Sequence, residues 1–159
     1  MATSGLIVLL DALLDAEVEF VVIGGLAAVL HGAPLVTVDI VHRRTADNVA
    51  RLLGVLLPIN AHARADRRNL PPTESALLGR GHVLLDTDLG ALDVLCEIGT
   101  GQDYEWLLPR SELIERGGKT ARIVSLPALI ELKLAANRPK DRLAIPILLA
   151  TLEARTLEE

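Results

Sequence analysis

The hydrophobic residues of the N-terminal half alternate between helical and strand-like spacing. In "LIVLLDALLDAEV", Leu6, Leu10, Leu13 and Leu14 recur every three or four residues and mark one helical face. The apolar runs "EFVVIGG" and "LVTVDIVH" are typical of buried strands. Between them, "LAAVLHG" predicts a short helix that ends at Gly32.

A further helix is predicted in "TADNVARLLGVL", where Thr45 is a suitable N-cap. Its apolar stripe comprises Val49, Leu52, Leu53 and Leu56. Residues 58–81 are rich in Pro, Gly and Arg and predict a long loop. Loops of that length are usually functional or disordered.

The C-terminal half predicts two hairpins followed by two helices. "HVLLDTDLGALDVLCEI" turns at residues 86–88, and "SELIERGGKTARIVS" turns at residues 117–118. Ser125 caps the helix "LPALIELKLAAN", which Asn137 and Pro139 end. The last helix, "KDRLAIPILLATLEA", contains Pro146 as a defect.

This order of elements predicts a single domain over residues 1–159, of the α/β (α+β) class. We expect a mixed β-sheet flanked by helices, with a helical C-terminus. Hydrophobic residues make up 50% of the chain, enough for a substantial core. The single cysteine, Cys96, excludes an intramolecular disulfide and a cysteine-based zinc site. With no signal peptide and no membrane-spanning segment indicated, we expect a cytoplasmic protein without a membrane partner.

The charge is distributed unevenly around a net value of −5. Residues 42–82 contain seven arginines and three acidic residues, a net charge of +4, which leaves −9 for the rest of the chain. Such asymmetry indicates either a surface for a polyanion or a solvated loop and helix face, and the sequence favours neither. Aromatic residues are only 2%, which argues against base stacking on single strands.

Three features indicate chemistry on triphosphates. Gly24 and Gly25 end the first strand before a predicted helix, where backbone N–H groups can approach a phosphate, although such glycine pairs are common at tight turns. Asp39 and Asp93 each interrupt an apolar strand. Two carboxylates on neighbouring strands can hold Mg²⁺ together with substrate phosphates.

Three segments carry a resemblance that covers nearly the whole chain. They are "FVVIGGLAAVLHGAPLVTVDIVHRRTADNVARLL", "LDTDLGALDVLCEIGTGQDYEWLL" and "SLPALIELKLAANRPKDRLAIPIL". Together they resemble the minimal nucleotidyltransferase family of the AbiEii or MenT type, toxins of bacterial toxin–antitoxin systems. The resemblance implies a polymerase-β-like fold and Mg²⁺- or Mn²⁺-dependent transfer of a nucleotide from an NTP. In several such toxins the acceptor is the 3′ end of tRNA, and an antitoxin protein is a possible partner.

The resemblance also implies roles for individual residues. Gly24, Gly25 and Lys133 would contact triphosphate. Asp39 would ligate metal, and Asp93 would ligate the catalytic metal and face the acceptor hydroxyl. Arg43, or its neighbour Arg44, could contact the triphosphate or an RNA phosphate, although a solvated strand end is the alternative. Lys140 and Asp141 match the "RPKD" segment of the family without a clear role.

The chain departs from the family at the strand that carries Asp39. The family usually has two aspartates two residues apart, whereas "VTVDIVHRRT" is two residues shorter and has one. If positions are counted forward from Gly24 and Gly25, Asp39 is the first aspartate of the pair and Val41 stands in place of the second. If positions are counted back from "IVHRRT", Asp39 is the second aspartate and the first is missing. A two-residue contraction keeps every side chain on its face of the strand. Asp86 and Asp88 could compensate, but aspartates are common at turns.

Three hypotheses follow from the sequence. The first is an active or weakly active nucleotidyltransferase that modifies tRNA. The second is a catalytically degenerate member that binds NTP, protein or RNA. The third, and weakest, is a general nucleic-acid binding module that uses the arginines of residues 42–82.

Overall fold

The computed structural model describes residues 2–24 and 37–158. Within these residues, seven strands form one mixed sheet in the order β3-β4-β5-β2-β1-β7-β6. The strands are β1 (Phe20–Ile23), β2 (Thr37–His42), β3 (His62–Ala63), β4 (Val83–Thr87), β5 (Gly90–Leu95), β6 (Ser111–Arg116) and β7 (Lys119–Val124). The central pairs β2–β5 and β1–β7 are parallel, and the other pairs are antiparallel.

Helices flank this sheet, which confirms the predicted α/β class and the helical C-terminus. The helices are α1 (Ala2–Asp15), α2 (Ala46–Leu56), α3 (Glu74–Leu78), α4 (Tyr104–Leu107), α5 (Leu126–Ala136) and α6 (Pro139–Glu158). Short 3-10 turns follow α2 at Leu57–Ile59 and α4 at Leu108–Arg110. None of the helices described here is both long and apolar enough to cross a membrane.

The core joins the apolar face of the first helix to the centre of the sheet. Leu6, Leu10 and Leu13 of α1 are buried, as their spacing predicts. The strands contribute β-branched residues such as Val22 and Ile40, which are fully buried. Such residues favour a pleated surface that is covered on both faces.

The predicted helix caps are confirmed. The hydroxyl of Thr45 accepts a hydrogen bond from the Asn48 backbone N–H at 3.3 Å, which begins α2. Ser125 does the same for α5 through the N–H of Ala128 at 3.3 Å. The helix α5 then ends at Asn137, whose φ of 50° is the left-handed conformation of a helix C-terminus.

The prediction of a structureless loop over residues 58–81 is wrong. That stretch contains β3 and α3, and the hydroxyl of Thr73 caps α3. Both elements are too short for a hydrophobic period to reveal them. Nearby, the turn of the first hairpin falls at residues 88–89, because residues 86–87 still pair with β5.

Two further predictions concern the ends of elements. Pro139 follows the end of α5 and is also the first residue of α6. Proline suits this position because the N–H group of the first helical residue has no hydrogen-bond partner within the helix. Pro146 lies inside α6, as predicted. The predicted helix "LAAVLHG" and the second glycine, Gly25, lie outside the described residues.

Candidate functional site

Asp39 and Asp93 occupy directly opposite positions on the parallel strands β2 and β5. Neighbouring strands lie about 4.8 Å apart, and residues in register project from the same face of a sheet. The two carboxylates that the sequence predicts at one site are therefore adjacent. Both border the same cleft.

Gly24 ends β1 beside this pair. Its φ of +65° is a backbone conformation that glycine adopts readily. A Cβ atom at this position would come within 2.6 Å of the Asp39 carboxylate oxygen Oδ2. Gly24 is thus required both for the turn and for the space that the Asp39 carboxylate fills.

The cleft has a volume of about 670 Å³, which is in the usual range for small-molecule sites. It brings together carboxylates on the sheet and cations on the two C-terminal helices. Its polar lining includes Asp39, Asp93, Lys133, Arg138, Lys140 and Asp141. Gly24 also lines it, so the cleft contains each of the predicted site residues that the structure describes except Arg43.

Asp141 organises the cationic side of the cleft. Its carboxylate is fully buried and accepts a hydrogen bond from Arg138 Nε at 2.6 Å and one from Lys133 Nζ at 3.2 Å. The hydrogen bond from Arg138 is the main reason why the pKa of Asp141 falls from 3.8 to about 2, and Lys133 lowers it further. The residue whose role the sequence leaves unclear therefore holds two cations in place.

The same carboxylate fixes the beginning of α6. The backbone N–H of Arg138 donates to Asp141 Oδ2 at 3.1 Å, three residues along the chain. This is the reciprocal half of a capping box, with Pro139 at the first helical position. The helix start and the position of Lys133 consequently depend on one buried side chain.

Arg64 approaches the carboxylate pair, and the sequence offered no signal for it. Its Nη2 lies 2.7 Å from Asp93 Oδ1, and its Nε lies 3.2 Å from Asp86 Oδ1. Burial alone would lower the pKa of Arg64, but the nearby carboxylates of Asp93 and Asp86 raise it. Arg64 follows the two-residue strand β3, so only the sheet register shows that it faces Asp93.

The position of Asp93 Oδ1 is unusual despite this ion pair. The atom is buried, and the geometry to Arg64 does not make a well-directed hydrogen bond. The close charges still attract each other, because Coulomb attraction depends little on angle. Charge attraction to Arg64 therefore holds this buried carboxylate oxygen.

Arg43 does not join the cleft. It forms ion pairs with Glu19 at 2.7 Å and Glu105 at 2.8 Å, and its guanidinium lies 4.7 Å from the centre of the Tyr104 ring. Two carboxylates thus balance its charge on another side of the molecule, beside a separate cavity. The structure gives no support to its predicted contact with triphosphate at the cleft.

The arginine-rich segment, residues 42–82, carries less free positive charge than its sequence indicates. Arg43, Arg64 and Arg68 are each paired with at least one carboxylate. The two nearby acidic residues are also engaged: Asp86 pairs with Arg64, and Asp88 accepts a hydrogen bond from Asn60 at 2.6 Å. Neither of these aspartates lines the cleft. Asp88 fits the interpretation as a turn residue, whereas Asp86 belongs to β4.

Val41 is one of the positions at which the resemblance would place a second strand carboxylate. Val41 is fully buried and pairs with Val21 and Leu95, so a carboxylate there would lie in the core. Asp39, nearer the beginning of β2, borders the cleft.

The carboxylate ligands at this site suit a divalent cation that takes only one or two of its ligands from the protein. No group of three or more His, Cys, Asp or Glu side chains in residues 2–24 and 37–158 is arranged to hold a metal ion. Mg²⁺ commonly uses one or two carboxylates and completes its shell with water and phosphates. Asp39 and Asp93, two carboxylates in register on neighbouring strands, satisfy that requirement.

Comparison of the chain with protein-family models gives no match, and comparison with curated proteins gives none either.

Proposed function

We propose that this protein is a polymerase-β-like nucleotidyltransferase that transfers a nucleotide from an NTP to an acceptor. The observation that carries the proposal is the register of Asp39 with Asp93 on neighbouring parallel strands of a cleft that also contains Lys133. The helix-flanked mixed sheet is compatible with that fold. The sequence resemblance supplies the reaction type.

Opposite charges within the cleft suit a nucleoside triphosphate and a metal ion. Asp39 and Asp93 would hold Mg²⁺ or Mn²⁺, which when bound neutralises charge on the triphosphate. Lys133, Arg138 and Lys140 provide the cations that attract phosphate oxygens. Gly24 lets the backbone approach the phosphates without a side chain in the way.

Asp93 is the residue that we assign to the acceptor side. Its carboxylate would orient the attacking hydroxyl, and Lys133 would hold the leaving phosphates in line. Positioning of this kind accounts for most of the catalysis in phosphoryl-type transfer. The proposed acceptor is the 3′ end of tRNA, with an antitoxin as a protein partner, and both rest on the resemblance.

The test is transfer of label from each of the four NTPs to total tRNA, with Mg²⁺ or Mn²⁺. We expect transfer by the wild type and a loss of at least about 100-fold in Asp39→Asn and Asp93→Asn, since each removes a carboxylate charge from the site. Asp47→Asn, which removes an exposed carboxylate from α2, is the matched control and should retain transfer. Folded wild-type protein that labels no RNA with any NTP would refute the proposed activity.

A catalytically degenerate NTP-binding protein is the second candidate. The observation that favours it is the single aspartate on β2, combined with the guanidinium of Arg64 beside Asp93. In that case, NTP with Mg²⁺ raises the melting temperature by mass action, without any transfer. Lys133→Met should reduce this increase, because the substitution removes a phosphate-binding cation.

A further inference from the structure

The C-terminal helix α6 has apolar residues on two opposite sides. One side faces the rest of the domain, where Leu148 is buried and Leu152 is partly buried against the core. The other side is open to solvent: Leu143, Ile147 and Leu157 are 77%, 68% and 83% exposed. A single surface leucine requires no explanation, but three along one helix do.

The exposed apolar residues follow a regular repeat. Leu143, Ile147, Ala150, Ala154 and Leu157 are separated by four, three, four and three residues, and all five are exposed. This is the spacing of the first and fourth heptad positions of a coiled coil, which lie along one seam of a helix. We call these five residues the α6 seam, and none of them is charged.

We propose that the α6 seam pairs with the α6 seam of a second copy of this chain, with the two helices antiparallel. In an antiparallel pair, first heptad positions face fourth heptad positions of the other helix. Leu143 then lies against Ala154, and Ile147 lies against Ala150, in both directions. Each of these four layers combines a large side chain with a small one, so one interhelical distance suits all of them, and Leu157 lies beyond them, opposite Lys140 of the second copy.

Other arrangements of the same seam fit less well. A parallel pair in register places two large side chains together at Ile147 and two small ones together at Ala150. The first layer requires a large distance between the helices and the second a small one, within a single turn. An antiparallel pair shifted by one heptad places Ile147 against Leu157 and Ala150 against Ala154, with the same difficulty. The order of large and small residues thus favours one partner, one direction and one register.

The size of the contact predicts a weak dimer. The four paired layers span eleven steps from Leu143 to Ala154, about 16 Å of a helix that is about 10 Å wide. That footprint is smaller than the roughly 800 Å² per partner of a standard interface. We expect reversible dimerisation at roughly 10–100 µM, independently of the proposed function, because the seam contributes no residue to the cleft.

Sedimentation velocity of the purified chain from about 1 to 500 µM is the first test. We expect a concentration-dependent monomer–dimer equilibrium that Ile147→Glu weakens at least tenfold. Leu149→Glu is the matched control, since Leu149 is 49% exposed on the same helix but lies off the seam. A wild-type chain that stays monomeric at all concentrations, or dimerisation that both variants weaken equally, would overturn the proposal.

Disulfide trapping tests the direction of the pair without disrupting it. Leu143→Cys and Ala154→Cys chains are mixed under mild oxidation, with the native Cys96 buried in the fold. An antiparallel dimer joins one chain of each kind. A parallel dimer brings only identical positions together, because residues 143 and 154 are then about 16 Å apart along the axis. Predominant homodisulfides would therefore refute the antiparallel assignment.

Discussion

Replacement of Asp141 by asparagine tests whether one buried carboxylate holds the cationic side of the cleft. The asparagine side chain would keep the shape of the aspartate but lose the charge that Lys133 and Arg138 share. The pKa of Asp141 is about 2 in the folded chain, against 3.8 as the ordinary value. The difference corresponds to about 2.5 kcal/mol of folding free energy.

That figure is an upper estimate. Arg138 is the first contributor to the lowered pKa, and its side chain is 57% exposed, so water screens part of its attraction. Asparagine can also accept one of the hydrogen bonds through its amide oxygen. We therefore expect Asp141→Asn to lower the free energy of unfolding by about 1–2 kcal/mol at pH 7.

Urea denaturation of both chains between pH 7 and pH 2.5 provides the measurement. Because the folded-state pKa lies below the unfolded one, the stabilisation is fully present above about pH 4 and declines as the pH falls towards 2. The difference between wild type and Asp141→Asn should shrink over the same range. Glu153→Gln, an exposed carboxylate of α6, is the control. A difference below about 0.5 kcal/mol at pH 7, or one that grows in acid, would refute the reasoning.

Three shorter predictions concern other contacts. Gly24→Ala should lower stability by about 1–2 kcal/mol in urea denaturation, because alanine is strained at a φ of +65° and its Cβ would approach Asp39. Arg64→Gln should tighten Mn²⁺ binding, followed by the EPR signal of free Mn²⁺, because it removes a competing cation from Asp93; weaker binding would contradict this. Burial lowers the pKa of His42 in the folded chain, so the unfolded chain binds a proton more readily and wild-type stability should decline from pH 7 to pH 5. Thermal melts of His42→Leu should show a smaller decline.

The sequence predicts this fold well where side chains repeat over several turns or strands. The α1 face and the caps Thr45 and Ser125 depend on neighbouring residues alone, so spacing and residue type are enough to locate them. The strand β3 has only two residues, and its existence depends on pairing with β4, far along the chain. No local pattern contains that information.

The residues of the candidate site also divide into those that the local sequence reveals and those that only the folded chain reveals. Asp39 and Asp93 are conspicuous because each is an acid in an apolar strand, and their adjacency follows from sheet order. Arg64 is conspicuous only in three dimensions, since it approaches Asp93 from a segment that has no periodic pattern. Arg43 is the opposite case: it follows the Asp39 strand directly, yet its side chain pairs with Glu19 and Glu105 and does not line the cleft.

The single aspartate of β2 and the position of Arg64 together predict how many metal ions this site can hold. Here Asp39 and Asp93 provide two negative charges, and Arg64 already offsets part of that of Asp93. Without nucleotide, a second divalent ion would add charge that Asp39 and Asp93 cannot balance. We therefore expect one Mn²⁺ per chain in the absence of nucleotide, counted by EPR titration. Two tightly bound ions per chain would show that this charge argument fails.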